Sequence, residues 1–388
     1  MKIAIRVDSS LQIGTGHVMR CLTLADALKA KGAKVVFVCR EHPGHLCDKI
    51  AGKGFEVFRL ESGSDNDSLQ ADSFALTHAS WLGTSQSVDV TKTIAALHDN
   101  APWDWIIVDH YALDHCWESA MCKVANNIMV IDDLADRKHE CDLLLDQNYF
   151  QEPEKRYESL LLEHCKTLLG PKYALLRPEF REARKFCRMR GNGIARILVY
   201  FGGNNPDNLT GMALEALSTP ELEHLLVEAV IGPNNQHQEQ LEKQAKNRPG
   251  TRLHVQPENF TELMLRADFC IGAGGTTTWE RLCLGLPSLV ITVAQNQEPF
   301  TRELDEAGYV RWLGNKEQVN VSDIRESLIS EIHRSQNLEN SDDPPSLVDG
   351  YGALRAAEKL VPSDAKDLSL RQAVQEDMEL FFTWANDP

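Results

Sequence analysis

The sequence predicts an α/β protein built from two Rossmann-like domains that face one another across a cleft. Short apolar runs rich in β-branched residues alternate with segments of helical periodicity through the first half of the chain. The same alternation begins again near Arg196. The length of 388 residues also exceeds what one compact core normally holds. A substrate is therefore expected in the cleft between two domains.

The first domain is assigned to residues 1–170. It opens with the strand "KIAIRV", a glycine-containing loop and a helix from Val18 to Lys31. Further strands are predicted at "AKVVFVCR", "FEVFRL", "WIIVDHY", "IMVIDDLA" and "CDLLLDQN", with a helix over "LCDKIAGKG". This order is typical of a doubly wound parallel sheet, in which ligands bind beyond the carboxyl ends of the strands.

The second domain is assigned to residues 195–360, after a connection over 171–194 that ends in a Gly-Asn-Gly break. Its predicted strands read "ARILVYFGG", "LLVEAVIG", "TRLHVQ", "DFCIGAGG" and "PSLVITVA", and its predicted helices read "DNLTGMALEAL", "FTELMLRA" and "TTTWERLCLG". Residues 361–388 then begin with a polar linker and start a new strand and helix. A unit of that size cannot bury its own core, so it is expected to be a short, incomplete appendage.

Composition and charge exclude several classes of partner. The formal net charge is −17, which argues against a general nucleic-acid or anionic-membrane surface. No apolar run approaches the length that spans a bilayer, and no cleavable signal pattern is evident, so a cytoplasmic protein is expected. The ten cysteines include no C-x-x-C pair, which favours reduced thiols over a zinc site or a disulfide framework.

A histidine follows the first glycine turn at the predicted start of a helix. Gly14 and Gly16 allow the backbone to approach a phosphate or a leaving group that gains negative charge. The same helix field disfavours a protonated imidazole, so His17 would be neutral and available as a base. Asp8 could orient an imidazole nitrogen or bind the loop backbone. A histidine that only fixes the loop is the alternative interpretation.

Two further strand ends carry polar side chains. Asp109, His110 and Tyr111 emerge together after one strand. Such a cluster usually lines a ligand cleft, although some members only fix the loop, and Asp109 and Tyr111 are expected to contact the substrate. Asp132 and Asp133 follow the next strand and either face the cleft or cap the following turn.

Two glycine turns in the second domain indicate a diphosphate site. Gly203 and Asn204 follow its first strand, and a later strand is followed by the run of Gly274, Gly275, Thr276 and Thr277. Glu280 lies one helical turn further on and could accept hydrogen bonds from two ribose hydroxyls, or could merely favour the helix start.

Several common motifs do not occur. The chain has no Walker lysine pattern and no H-E-x-x-H, and Met19 replaces the third glycine of a dinucleotide fingerprint. A dinucleotide-dependent dehydrogenase is therefore disfavoured.

Taken together, six ordered stretches resemble the UDP-2,4-diacetamido-2,4,6-trideoxy-β-L-altropyranose hydrolases of the pseudaminic acid pathway, over about Met1 to Leu360. They are "RVDSSLQIGTGHVMRCLTLADAL", "WLGTSQSVD", "IIVDHYALD", "VIDDLADRKHECDLLLDQN", "GPKYALLRPEF" and "AGGTTTWERLCLGLP". The resemblance implies a glycosyltransferase B fold with UDP held mainly by the second domain. It implies hydrolysis of the bond between sugar C1 and UDP with inversion, and neither a metal nor another cofactor.

The resemblance also implies roles for individual residues. His17 would activate water, and Tyr111 matches the strand-end tyrosine of that family. Asn296 in "TVAQNQEPF" would contact sugar or phosphate, and Glu280 would bind the ribose. The run from Gly274 to Thr277 would hold the diphosphate.

The last stretch, "LSLRQAVQEDMELFFTWANDP", is similar to the opening of a GCN5-related N-acetyltransferase. The acetyl-CoA pyrophosphate loop of that class would come later and is missing, so no acetyltransferase activity is expected from this chain. Contact between the hydrolase part and a missing acetyltransferase domain is a possible partner interaction.

Two other functions stay open at the level of sequence. A glycosyltransferase of the same fold would share the UDP site but transfer the sugar to an acceptor. A binding module would hold a sugar nucleotide without turnover, and His17 would then be structural.

Overall fold

A computed structural model describes residues 1–62, 76–187, 193–203, 205–337 and 347–362. Asn204 and the acetyltransferase-like stretch lie outside the described residues. The described chain forms two separate sheets, each with all strands parallel and each flanked by helices on both faces. The predicted α/β class with two Rossmann-like units is confirmed.

The first sheet has seven strands in the order β3-β2-β1-β4-β5-β6-β7. They are β1 Lys2–Val7, β2 Lys34–Arg40, β3 Glu56–Leu60, β4 Trp105–Asp109, β5 Ile128–Ile131, β6 Leu143–Asp146 and β7 Lys166–Leu169. Its helices are α1 Gly16–Ala30, α2 Cys47–Gly52, α3 Gln86–Leu97 and α4 His115–Met121. Strands β2 and β3 are added on one side of β1, and strands β4 to β7 are added on the other side. Ligands of such sheets bind at this switch point, between β1 and β4.

The second sheet has six strands in the order β10-β9-β8-β11-β12-β13. They are β8 Arg196–Tyr200, β9 Leu226–Ile231, β10 Thr251–Val255, β11 Phe269–Ala273, β12 Ser288–Thr292 and β13 Arg311–Asn315. Its helices, with the connecting helix α5, are α5 Pro178–Arg184, α6 Leu209–Leu217, α7 Gln238–Asn247, α8 Phe260–Arg266, α9 Thr277–Cys283, α10 Glu298–Glu306 and α11 Val321–Asn337. The reversal point here lies between β8 and β11.

Side chains alternate along each strand, so each sheet contributes to two cores, one on each of its faces. In β1, Ile3, Ile5 and Val7 pack with α1 in one core, and Ala4 packs with α3 and α4 in the other. Asp8, immediately after the strand, continues the second face. This alternation determines which carboxylate can reach His17.

The last described helix, α12 Gly352–Leu360, returns to the first unit. Its buried residues Ala353, Ala356, Ala357 and Leu360 join the core that contains α1. The assignment of residues 195–360 to the second domain therefore places this helix on the wrong unit, because small apolar residues at helical spacing do not reveal which sheet they cover. In contrast, α5 packs in a core of the second unit through Phe180 and Ala183.

Within the described ranges, no helix is both long enough and apolar enough to cross a bilayer.

Candidate active site

His17 lies in the first turn of α1, directly after the loop that leaves β1. The loop is held by its own hydrogen bonds: the Gly14 N–H donates to the Ser10 carbonyl at 2.9 Å, and the Ser10 hydroxyl accepts from the Ile13 N–H at 2.9 Å. Gly14 has a φ of 79°, a backbone conformation that favours glycine. The imidazole is 9% exposed, so it is fixed in place while one edge remains accessible.

Asp109, at the end of β4, is not the substrate contact expected from the sequence, because it is buried and its carboxylate binds His17. Its Oδ1 atom lies 2.6 Å from Nδ1 of His17. Arg20, one turn along α1, donates to both carboxylate oxygens at 2.7 Å. Burial opposes ionisation of Asp109, but the charge of Arg20 and the hydrogen bonds from Arg20 and His17 outweigh it and hold the pKa of this carboxyl well below its usual range.

An ionised carboxylate only accepts hydrogen bonds, so the short contact assigns the proton to Nδ1 of His17. Arg20 lies further from the same nitrogen, at 3.3 Å, and cannot itself accept a proton. In a neutral imidazole Nε2 then has a free lone pair. The His17–Asp109 pair is thus arranged as an oriented general base.

Asp8 does not contact His17. It binds the Arg6 guanidinium at 2.5 and 2.8 Å and accepts from the backbone N–H of Arg40 at 2.6 Å. The cause is strand parity: Val7 pairs with Asp109 in register, so these two share a face and Asp8 lies on the other. The suggestion that Asp8 orients His17 is corrected to Asp109, and Asp8 belongs to a buried ion network that includes Asp89.

An Asp8→Asn variant should therefore lose stability without an altered His17 tautomer. Breaking a buried ion pair costs about 3–5 kcal/mol. Urea unfolding should show that loss, while the folded fraction keeps the turnover number of the wild type. A large fall in kcat of the folded enzyme would return Asp8 to the catalytic group.

Tyr111 lies against His17 and is tied to Asp133. Its hydroxyl donates to Oδ1 of Asp133 at 2.5 Å, and Arg20 donates to Oδ2 of the same residue at 3.0 Å. The ring stands edge-on to the imidazole with centroids 4.6 Å apart. Burial and the Asp133 charge raise the pKa of Tyr111, so the phenol stays neutral.

The neighbouring Asp132 has a structural position. It is fully buried, lies 2.8 Å from Arg137 and accepts from the backbone N–H of Ala135 at 2.9 Å. Of the two carboxylates left open by the sequence, Asp133 joins the His17 cluster and Asp132 fixes the turn.

In the second unit, the run Gly274–Thr277 connects β11 to α9. An ideal Cβ on Gly274 would lie 2.9 Å from Oγ1 of Thr301 and 3.1 Å from Cγ2 of Thr292, so a larger residue does not fit. Asn296 lies on the short 3-10 helix Gln295–Gln297 after β12, which borders this turn through Gln297. At the end of β8, the Gly203 carbonyl accepts from the Gly232 N–H at 2.9 Å.

Glu280, on α9, pairs with Arg177 from the connecting segment at 3.5 Å. Burial raises the pKa of Glu280 to about 7, against the attraction of Arg177. Its carboxylate is thus close to the midpoint of its titration at neutral pH.

The glycine loop before α1 and the glycine turn before α9 approach each other across the cleft. An ideal Cβ on Gly16 would lie 3.9 Å from Cγ2 of Thr276, so the N-terminus of α1 faces that of α9. The first N–H groups of a helix have no partner within the helix, and its N-terminus carries a partial positive charge. The structure thus brings His17 and Asp109 next to the predicted diphosphate turn.

Arg20 and Trp81 also belong to this site, although the sequence did not single them out. Arg20 follows His17 by three positions, so helical spacing places both on one face of α1. Trp81 begins the stretch "WLGTSQSVD". Its position in the sequence does not indicate that it contacts the histidine loop.

No family model matches the chain. It is 24% identical over 396 aligned positions to the uncharacterized protein MJ1062 of Methanocaldococcus jannaschii, covering all of this chain and 73% of that protein. It is 26% identical over 310 positions to the UDP-2,4-diacetamido-2,4,6-trideoxy-β-L-altropyranose hydrolase of Campylobacter jejuni, covering 80% of this chain and 98% of that enzyme. Over 194 positions it is 29% identical to the spore coat polysaccharide biosynthesis protein SpsG of Bacillus subtilis, covering 48% of this chain and 55% of that protein.

Among solved structures, Os79 from O. sativa superposes with a TM-score of 0.60 at 13% identity, covering 93% of this chain and 94% of that one. The spinosyn rhamnosyltransferase SpnG, complexed with thymidine diphosphate, gives 0.59 at 17%, covering 93% and 95%. MurG of Acinetobacter baumannii gives 0.58 at 12%, covering 92% and 94%. The fold is that of the glycosyltransferase B class. Within that class, the chain is a distant homologue of the Campylobacter hydrolase and of SpsG.

Proposed function

We propose that the protein is a hydrolase that converts UDP-2,4-diacetamido-2,4,6-trideoxy-β-L-altropyranose to the free sugar and UDP, as a step of pseudaminic acid biosynthesis in the cytoplasm. The observation that carries the proposal is the oriented base His17–Asp109 facing the glycine turn at Thr276. Distant homology to the Campylobacter hydrolase supports the choice of substrate.

The proposed reaction is attack of water on the anomeric carbon. His17 Nε2 takes one proton from the water as its oxygen forms a bond to C1. The bond from C1 to the UDP oxygen breaks, its electron pair leaves with UDP, and the sugar C1 inverts. Asp109 stabilises the imidazolium that forms, because its carboxylate stays ionised beside Arg20.

The leaving group is stabilised by the opposite wall of the cleft. In this proposal the N–H groups of Gly274–Thr277, at the start of α9, hold the diphosphate. UDP leaves as a stable anion, so no general acid is needed, in contrast to glycosidases that release an alcohol from between two carboxylates. We propose that neither a metal nor another cofactor takes part in this step.

Glu280 is proposed to accept hydrogen bonds from the two ribose hydroxyls. Only the ionised carboxylate accepts from both without donating, and the pKa of about 7 places that ionisation in the neutral range. UDP affinity should therefore rise between pH 6 and pH 8.

A Glu280→Gln variant should bind UDP about 10- to 100-fold more weakly at pH 8, the value of one or two hydrogen bonds to a charged group. It should also lose the part of the pH dependence that Glu280 causes, while the part due to titration of the diphosphate persists. Calorimetry at pH 6, 7 and 8 measures both. Glu306→Gln, at an exposed carboxylate of the same unit, is the matched control. Equal UDP affinities of the Glu280→Gln variant and wild type at pH 8 would refute the ribose role.

A second candidate function is transfer of the sugar to an acceptor, because the spinosyn rhamnosyltransferase SpnG has a similar fold. Proton NMR of the purified protein with the sugar nucleotide and no acceptor separates the two. Free sugar of inverted anomeric configuration with UDP supports hydrolysis. Bound but unchanged substrate supports a transferase or a binding module.

A further inference from the structure

Three aromatic rings form a continuous surface next to His17, which we term the aromatic wall: His78, Trp81 and Tyr111. The centroids of His78 and Trp81 lie 4.4 Å apart, those of His78 and Tyr111 5.3 Å, and those of Trp81 and Tyr111 5.5 Å. His78 and Trp81 are partly exposed, whereas Tyr111 is buried behind them. Partly exposed aromatic surface in a cleft marks a binding region for an apolar group.

The aromatic wall borders the reacting position of the proposed mechanism. The His17 imidazole stands nearly perpendicular to Tyr111 and to Trp81, with centroids 4.6 and 6.5 Å away. A sugar whose C1 receives water from His17 must therefore place its ring substituents close to these rings. The uridine half would lie at Glu280, in the other unit.

The position of Trp81 is fixed by the residues that follow it. Trp81 belongs to the short 3-10 helix Ala79–Leu82, and Leu82 is buried in the core beneath the sheet. Gly83 has a φ of 67°, and an ideal Cβ on it would lie 2.8 Å from Cε1 of His42. A larger residue does not fit at Gly83, so the chain can pass close to His42 there, and the buried Leu82 anchors the helix that carries Trp81.

The aromatic wall combines apolar ring faces with two N–H donors, that of the neutral His78 imidazole and that of the Trp81 indole. Burial lowers the pKa of His78, so this ring is neutral at pH 7, and the Tyr111 hydroxyl is already donated to Asp133. Within the described ranges, the indole N–H of Trp81 has no hydrogen-bond partner, and it is not among the fully enclosed polar atoms. A ligand group with a small apolar part and a carbonyl oxygen would satisfy both features.

We propose that the aromatic wall is the subsite for an N-acetyl substituent of the sugar: the methyl group packs on the rings and the Trp81 indole N–H donates to the acetyl oxygen. This rests on the proposed function and extends it, because it makes Trp81 the residue that selects N-acylated amino sugars over sugars that carry only hydroxyls. A hydroxyl in the same place would leave the ring faces uncovered.

The test measures binding, so that it does not depend on turnover. A His17→Asn protein, whose amide can still donate to Asp109, keeps the substrate intact. Saturation-transfer NMR then compares the acetyl methyl signals of the bound sugar nucleotide with its uracil signals. We expect strong saturation of at least one acetyl methyl.

Adding Trp81→Ala should weaken that methyl signal at least threefold relative to uracil. The affinity for the sugar nucleotide should fall about tenfold, the value of one methyl contact and one neutral hydrogen bond. The affinity for UDP alone should not change. Adding Trp81→Phe, which keeps a ring face, should restore most of the methyl saturation.

An unchanged methyl signal in the Trp81→Ala protein, or an equal loss of affinity for UDP, would overturn the subsite. Failure of wild type to release free sugar would refute the hydrolase but leave the saturation experiment decisive for the aromatic wall. Failure to bind the sugar nucleotide at all would overturn both proposals.

Discussion

A His17→Ala variant should lose between about 10²- and 10⁴-fold of kcat, the contribution of a positioned general base. The affinity for UDP should be unchanged, because the base belongs to the first unit and the proposed uridine contacts to the second. Initial rates of UDP release and calorimetry of UDP binding measure the two effects separately.

His98→Ala is the matched control for this variant, since His98 is an exposed histidine of the same unit whose side chain is 77% accessible. It should retain the wild-type kcat. A His17→Ala enzyme with wild-type turnover would remove His17 from the mechanism and favour its structural interpretation.

An Asp109→Asn variant should lose about as much kcat as the removal of the base itself. The uncharged amide no longer holds the proton on Nδ1 of His17 by charge. Arg20 donates to both oxygens of Asp109, so the NH₂ group of the asparagine would place one donor against another. Loss of the correct tautomer costs up to about 10⁴-fold in Ser-His-Asp hydrolases, in which a buried carboxylate orients the histidine in the same way. KM should change little, because Asp109 is buried behind His17 and does not reach the cleft.

Loss of folded protein and loss of the correct His17 tautomer must be distinguished in that experiment. Breaking a buried pair costs about 3–5 kcal/mol of stability, so urea unfolding establishes the folded fraction before rates are compared. Asp99→Asn, at a side chain that is 99% accessible, is the matched control. A folded Asp109→Asn enzyme with near wild-type kcat would contradict the role of Asp109.

Local signals in the sequence were sufficient to predict the two-sheet fold and the position of His17. A buried strand, a glycine loop and an amphipathic helix specify a βα unit, and the residue after the loop must lie at the helix N-terminus. The helix starts at Gly16, two residues before the predicted Val18. Asp109 and Tyr111 could be placed near His17 because neighbouring strand ends meet at one edge.

The sequence also contained part of the information needed to choose between Asp8 and Asp109 as the partner of His17, namely the alternation of side chains between the two faces of β1. Arg6 and Asp8 are two residues apart, so they share a face, opposite to that of Val7. What the sequence could not supply is the register of β1 against β4, which places Asp109 on the same face as Val7.

Several elements escaped prediction, among them two of the four edge strands of the described sheets and helix α3. Strands β7 and β13 are short and half-exposed and lack the continuous apolar run of a central strand. Helix α3 carries Asp89, whose buried ion pair with Arg6 contradicts the usual rule that charges face solvent. The contact of Trp81 with Tyr111 likewise depends on tertiary structure and has no local signature.

The central claim, that water oriented by His17 attacks C1 of the sugar, is tested most directly by hydrolysis in H₂¹⁸O with mass spectrometry of the UDP at early times. Phosphate oxygens of UDP do not exchange with solvent under these conditions, whereas the anomeric hydroxyl of a free sugar slowly does. The account predicts UDP without ¹⁸O and early free sugar with one ¹⁸O. One ¹⁸O in the terminal phosphate of UDP would show cleavage at phosphorus and contradict the account.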